Sequence, residues 1–147
     1  MVGRTMLKVL EQRKFPVEKL VPVASAKSIG TTIDFNGDSV EVVGIETALG
    51  MYLDLALFSA GCAISTKWVP KFASNGVVVV DNSSAFRMSE NYKLVIPEIN
   101  GAVLTEEDMI IANPNCTTIQ LLMALKPLHD LYNIERGVVN TYQSVTG

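Results

Sequence analysis

Residues 109–128 read MIIANPNCTTIQLLMALKPL. The apolar run MII has the character of a buried strand, and the segment from Cys116 onward reads as a helix. Between them stand Asn113, Pro114 and Asn115, with a cysteine as the first residue of the helix. A buried strand handing over to a helix is the repeating unit of an α/β fold.

The same alternation runs outward in both directions. RTMLKVLEQR (4–13) places Met6, Leu7 and Leu10 on one helical face, and Pro16 closes it. KLVPVAS (19–25) reads as a short strand, and TIDFNGDSVEVVG (32–44) alternates about Asn36-Gly37, a strong hairpin signal. LDLALFSA (53–60) and GVVVVDNSS (76–84) read as buried strands, with a helix over ISTKWVPKFASN (64–75) stopped at Gly76. LVIPEIN (94–100) reads as extended, MIIAN (109–113) as a strand, CTTIQLLMALKPLHDLY (116–132) as a helix, and RGVVNTYQSVTG (136–147) as a closing strand. The pattern predicts a doubly wound, mostly parallel Rossmann-like α/β sheet. Ligands of such sheets lie beyond the carboxyl ends of the strands. Ser25, Ser59–Gly61, Asp81–Ser84, Asn113–Cys116 and Gln143–Gly147 all fall at those ends.

The 147 residues suffice for one domain with a core, and a mean hydropathy of +0.29 suits a buried sheet. No segment has the apolar length of a membrane span, and no secretory pattern opens the chain. Twelve basic against fifteen acidic residues, scattered along the chain, give a net charge of −3 and no nucleic-acid surface. Two cysteines and one histidine fall short of the roughly four ligands of a structural zinc site, so no metal is expected. Free thiols and a cytoplasmic location follow as the default.

A cysteine at the first position of a helix faces unpaired backbone N–H groups and the positive end of the helix dipole. Asn115 is a suitable N-cap, and Pro114 fixes the backbone entering the turn. Residue chemistry alone leaves two readings for Cys116: a nucleophile for attack on a carbonyl carbon, or an inert buried thiol. A thiolate attacking an aldehyde, followed by hydride transfer to a nicotinamide, gives a thioester that water or phosphate can open. A base is also required. His129 is the only histidine, yet it lies 13 residues along the same helix, about 20 Å away at 1.5 Å per residue. The base is therefore expected outside this chain. Cys62, in SAGCAIS, has no comparable cap-and-proline setting and reads as a buried small residue.

The matches VGRTMLKVLEQRKFP (2–16), LVPVASAKSIG (20–30), LALFSAG (55–61), VVDNSSAFRM (79–88), LVIPEIN (94–100), ANPNCTTIQ (112–120) and TYQSVTG (141–147) give the chain a clear likeness. It resembles the N-terminal part of the aspartate-β-semialdehyde dehydrogenases, along essentially all of residues 1–147. The resemblance implies conversion of L-aspartyl-4-phosphate to L-aspartate 4-semialdehyde with NADPH, in the biosynthesis of lysine, methionine and threonine. It implies Cys116 as the acyl-forming nucleophile, Gln143 as the residue orienting the substrate, and Arg87 and Asn115 near the substrate phosphate. An arginine fork suits a phosphate better than a lysine does. For the cofactor it implies Gly3, Ser25, Lys27, Ser28, Ser59, Ala60, Gly61, Thr146 and Gly147. Hydroxyls and Lys27, where NAD-preferring folds carry an acid, suit the 2′-phosphate of NADP. A homodimer or tetramer, with small molecules as the other partners, is implied for the full-length protein.

Against this likeness, the family's first strand and most of its glycine-rich turn have no counterpart here; only Gly3 matches the end of that turn. The second domain, which in the family supplies the base, is also absent. The chain thus reads as a truncated NADP-binding domain, expected to be inactive alone. N-acetyl-γ-glutamyl-phosphate reductase shares the chemistry, but its usual Asn-Pro-Gly-Cys lacks Asn115. The third reading is a non-catalytic nucleotide-binding module.

Overall fold

The structure is a computed structural model and describes residues 2–142. The chain divides into two compact units, up to Asp54 and from Leu55 onward.

The first unit opens with helix α1 (Val2–Gln12). Strands β1 (Thr32–Phe35) and β2 (Asp38–Glu41) then form an antiparallel hairpin in which Phe35 faces Asp38. Asn36 and Gly37 both take positive φ, 52° and 91°, as a two-residue type I′ turn requires. The Asn36 N–H donates to Glu11 Oε1 at 2.6 Å, tying the turn to α1. Phe35, Val42 and Ala48 are buried. The strand expected over 19–25 is reduced to one parallel bridge, Val23 with Val43. Pro22 has no N–H for a ladder and contributes only its carbonyl, which accepts from Val43 N at 2.9 Å. A short helix α2 (Ile45–Leu49), not anticipated, follows.

The second unit holds a four-stranded, wholly parallel sheet of β3 (Leu55–Phe58), β4 (Val78–Asp81), β5 (Lys93–Leu94) and β6 (Ile110–Ala112), in the order β3-β4-β6-β5. Helix α3 (Cys62–Ser74) joins β3 to β4 and buries Ser65, Trp68, Val69 and Phe72. That i, i+3, i+4, i+7 spacing is one helical face. Phe72 meets Phe58 edge to face at 5.3 Å, and fully buried Val79 lies in the sheet.

LVIPEIN is not extended throughout: after β5 it turns into the short helix α4 (Pro97–Asn100). Pro97 is preset for the first helical turn. The Asn100 side chain closes that turn, its Oδ1 accepting from Ile96 N at 2.8 Å and its Nδ2 donating to Leu94 O at 3.0 Å. Helix α5 (Cys116–Tyr132) ends with Asn133 in the left-handed conformation. It buries no residue and leaves Leu122, Met123, Leu128, Leu131 and Tyr132 exposed. The closing strand expected over 136–147 does not form in 136–142, where no neighbouring strand takes its backbone groups and Val138, Val139 and Tyr142 stand exposed. Its remainder, with Gln143, Thr146 and Gly147, lies outside the described residues. No described helix is long and apolar enough to cross a membrane.

Candidate active site

Register builds the site. Phe58 pairs with Asp81 and Asp81 with Ala112, so β3, β4 and β6 end level with one another. The first residues beyond those ends are Ser59, Asn82 and Asn113, and their side chains link in that order. Asn82 Nδ2 donates to Ser59 Oγ at 3.4 Å, and Asn113 Nδ2 donates to Asn82 Oδ1 at 2.7 Å. The backbone continues the ladder below them, Asn82 N donating to Phe58 O at 2.8 Å and Asn113 N to Asp81 O at 2.9 Å.

Arg87 closes this row. Its Nε donates to Asn113 O and its Nη2 to Asn82 O, each at 2.9 Å. A guanidinium carries five N–H groups, so three remain for an anion. Beneath the row lies the fully buried Asp81 carboxylate. Its Oδ1 accepts from Ser65 Oγ at 2.8 Å and Ser83 N at 3.1 Å, and its Oδ2 from Ser83 Oγ at 2.6 Å. These bonds fix the Asn82–Ser83 turn, from which Arg87 departs. Charge-assisted bonds of this kind are what make a buried carboxylate tolerable.

Cys116 is the first residue of α5 and is exposed, as is Cys62 at the first position of α3. The inert reading of either thiol rested on burial, and neither is buried. Asn115 caps α5 as anticipated: its Oδ1 accepts from Thr117 N at 2.9 Å and from Thr117 Oγ1 at 2.6 Å. The Cys116 Sγ lies 3.8 Å from the same oxygen. Pro114 is buried and anchors the turn between the Arg87-bound carbonyl of Asn113 and the exposed thiol. Such an arrangement sets an exposed thiol at the start of a helix, beside its first N–H groups, three residues after the Arg87-bound carbonyl of Asn113.

Among the other anticipated residues, Ser59, Ala60 and Gly61 form the exposed loop between β3 and α3. Gly61 has φ 91° and open space where a Cβ would stand, leaving its backbone accessible to a bound group. In the first unit, Gly3 lies in the first turn of α1, and Ser25 precedes a 3-10 turn over Ala26–Ser28. Ser25 and Lys27 are exposed and Ser28 is half-buried, with its N–H bonded to Ser25 O. Ser25 and Lys27 thus place a hydroxyl and an ammonium on one tight turn. His129 sits in the last turn of α5, at the end of the helix opposite Cys116. The described residues contain no cluster of three metal-ligating side chains. Asn82 and Asn113 had no assigned role from sequence; their only signal was their place at the carboxyl ends of two expected strands.

Residues 1–107 match the family described as semialdehyde dehydrogenase, NAD binding domain. The aspartate-semialdehyde dehydrogenase of Shewanella violacea is 49% identical over 99% of this chain and 44% of its own length. Aspartate-semialdehyde dehydrogenase 2 of Vibrio cholerae is 51% identical, again over 99% of this chain and 44% of the relative. Among solved structures, aspartate semialdehyde dehydrogenase II from Vibrio cholerae, complexed with ASA, superposes with a TM-score of 0.85 at 48% identity. It covers 91% of this chain and 44% of that one. The chain therefore spans less than half the length of these relatives, and its sheet is the Rossmann-like sheet of their NAD-binding domains.

Proposed function

The chain belongs to the semialdehyde dehydrogenase family, of which it carries the NAD-binding domain, and on that premise we propose that the full-length protein is an aspartate-semialdehyde dehydrogenase. Its reaction is the reductive dephosphorylation of L-aspartyl-4-phosphate to L-aspartate 4-semialdehyde. The observation that carries the proposal is Cys116, exposed at the first position of α5 behind the Asn115 cap.

In this reaction Cys116 Sγ attacks the acyl carbon of the acyl phosphate. The bond from that carbon to the phosphate oxygen breaks, inorganic phosphate leaves, and a thioester on Cys116 remains. A reduced nicotinamide dinucleotide, when bound, would supply the hydride, and Cys116 would leave as thiolate once the thioester carbon reaches the aldehyde level. Three N–H groups of Arg87 are free to hold the departing phosphate, with Asn115 beside it. The developing oxyanion falls near the first N–H groups of α5. Gln143 orients the substrate; Ser59, Ala60, Gly61, Thr146, Gly147 and Gly3 contact the cofactor. Ser25, Lys27 and Ser28 read the adenosine ribose, with Lys27 favouring the 2′-phosphate of NADP. The general base comes from the part of the relatives' length beyond this chain, and the 147 residues alone do not turn over. The apolar residues that α5 leaves exposed, Leu122, Met123, Leu128, Leu131 and Tyr132, support assembly of the full-length protein as a homodimer or tetramer.

Full-length protein with Cys116→Ser, assayed for phosphate-dependent NADP reduction by aspartate semialdehyde, loses activity by orders of magnitude. Near-normal turnover sinks the assignment. Reversing the assay with aspartyl and N-acetylglutamyl phosphates separates the two related reductases.

A further inference from the structure

We propose that Arg87 is a positioning residue for Cys116, independent of any phosphate it binds. The proposal rests on Cys116 being the nucleophile and adds a second duty to the arginine. One guanidinium donates to the first carbonyls beyond β4 and β6, at Asn82 and Asn113, while the two asparagine side chains bond each other. The result is a closed ring: Arg87 to Asn113, Asn113 to Asn82, Asn82 back to Arg87. Asn113 stands three residues before Cys116, with only Pro114 and the Asn115 cap between them. Proline leaves that link few conformations, so a fixed Asn113 carbonyl sets where α5 begins. Unlocking the ring frees the turn and lets the first residues of α5 fray from the cap, carrying the thiol away from the helix-start N–H groups. The ring also reaches Ser59 through Asn82, so the loop after β3 and the nucleophile turn share one hydrogen-bonded row.

Lysine at position 87 tests this, because it keeps the charge but cannot donate in a fork to two separate carbonyls. The measurement is alkylation by iodoacetamide at pH 7 in phosphate-free buffer, read at the Cys116 and Cys62 peptides of the intact protein by mass spectrometry. R87K is expected to slow Cys116 by roughly tenfold, the loss of about one charge-assisted hydrogen bond, and to leave Cys62 unchanged. Hydrogen exchange over residues 113–118 should quicken while residues 62–69 keep the wild-type rate. In turnover kcat should fall, whereas an arginine serving phosphate alone would raise KM for phosphate and spare kcat. Should R87K fold poorly, Asn82→Ala opens the same ring by removing the acceptor for Asn113 Nδ2, and the same changes are expected in smaller measure. Wild-type alkylation and exchange in both variants overturn the proposal. Equal acceleration of exchange at both segments also overturns it, by showing general loosening. If wild-type Cys116 reacts no faster than Cys62 yet exchange still quickens only at 113–118, the anchor stands and the nucleophile assignment falls.

Discussion

Replacing Asn115 by alanine removes one oxygen that accepts two bonds, from Thr117 N at 2.9 Å and Thr117 Oγ1 at 2.6 Å. Asn115 and Thr117 are both exposed, so water can take over the hydroxyl bond, and the lasting loss is the cap on the helix N–H. An N-cap deletion of this kind costs about 1 kcal/mol, whereas glycine at the same position costs only a few tenths. For a domain of this size about 1 kcal/mol lowers Tm by roughly 4 °C. The expected order in thermal unfolding is therefore wild type, then Asn115→Gly within about 2 °C of it, then Asn115→Ala clearly below. The first turn of α5 is where the helix should fray, so alkylation of Cys116 should slow in the alanine variant while Cys62, on α3, keeps its rate. Equal Tm values for alanine and wild type would show that the cap does not hold α5. A uniform change at both thiols would show that the effect is global rather than seated at the start of α5.

Ser65→Ala leaves the buried Asp81 carboxylate with Ser83 as its remaining donor and should cost about 1.5–3 kcal/mol in urea unfolding; a neutral outcome would contradict the buried network. Phe72→Ala removes the ring packed on Phe58 and is expected to cost about 3–5 kcal/mol by the same measurement, with a cost near zero arguing against the α3 packing face. The Lys93 ammonium, and next the Thr105 backbone N–H, hold the Asp108 carboxyl below its usual range. Its folded form thus binds a proton less readily than the unfolded chain does. The stability it contributes is present above the ordinary carboxylate pKa of about 4 and is lost as pH falls through the lowered folded value. Asp108→Asn should lower the urea midpoint at pH 7, with the gap closing in acid; a gap that stays constant with pH would refute this. Lys27→Ala in the full-length protein should raise KM for NADP more than KM for NAD, and an equal rise would remove Lys27 from recognition of the 2′-phosphate.

Local pattern carried much of this protein. The segments read as strands over 53–60, 76–84 and 109–113 hold strands at 55–58, 78–81 and 110–112, the helix read over 64–75 is α3, and Asn36-Gly37 made its hairpin. Cys116 as a helix's first residue behind an asparagine cap was legible for the same reason, since capping acts over two or three residues. Where the reading failed, a local rule met a missing partner or a specific bond. Residues 19–25 kept one bridge because Pro22 cannot donate, and 94–100 folded into a turn that the Asn100 side chain closes.

The site itself belonged to the tertiary structure. Asn82 bonds a residue 31 positions later, Arg87 one 26 positions later, and Ser59 is met across 23 positions. No periodicity encodes contacts between segments so far apart, because they exist only once strand order and register bring three strand ends level. The sequence alone determined that a thiol would open a helix after a buried strand. The β3-β4-β6 alignment decided that one arginine, which the family resemblance had implied as a phosphate ligand, would be turned onto two backbone carbonyls beside it.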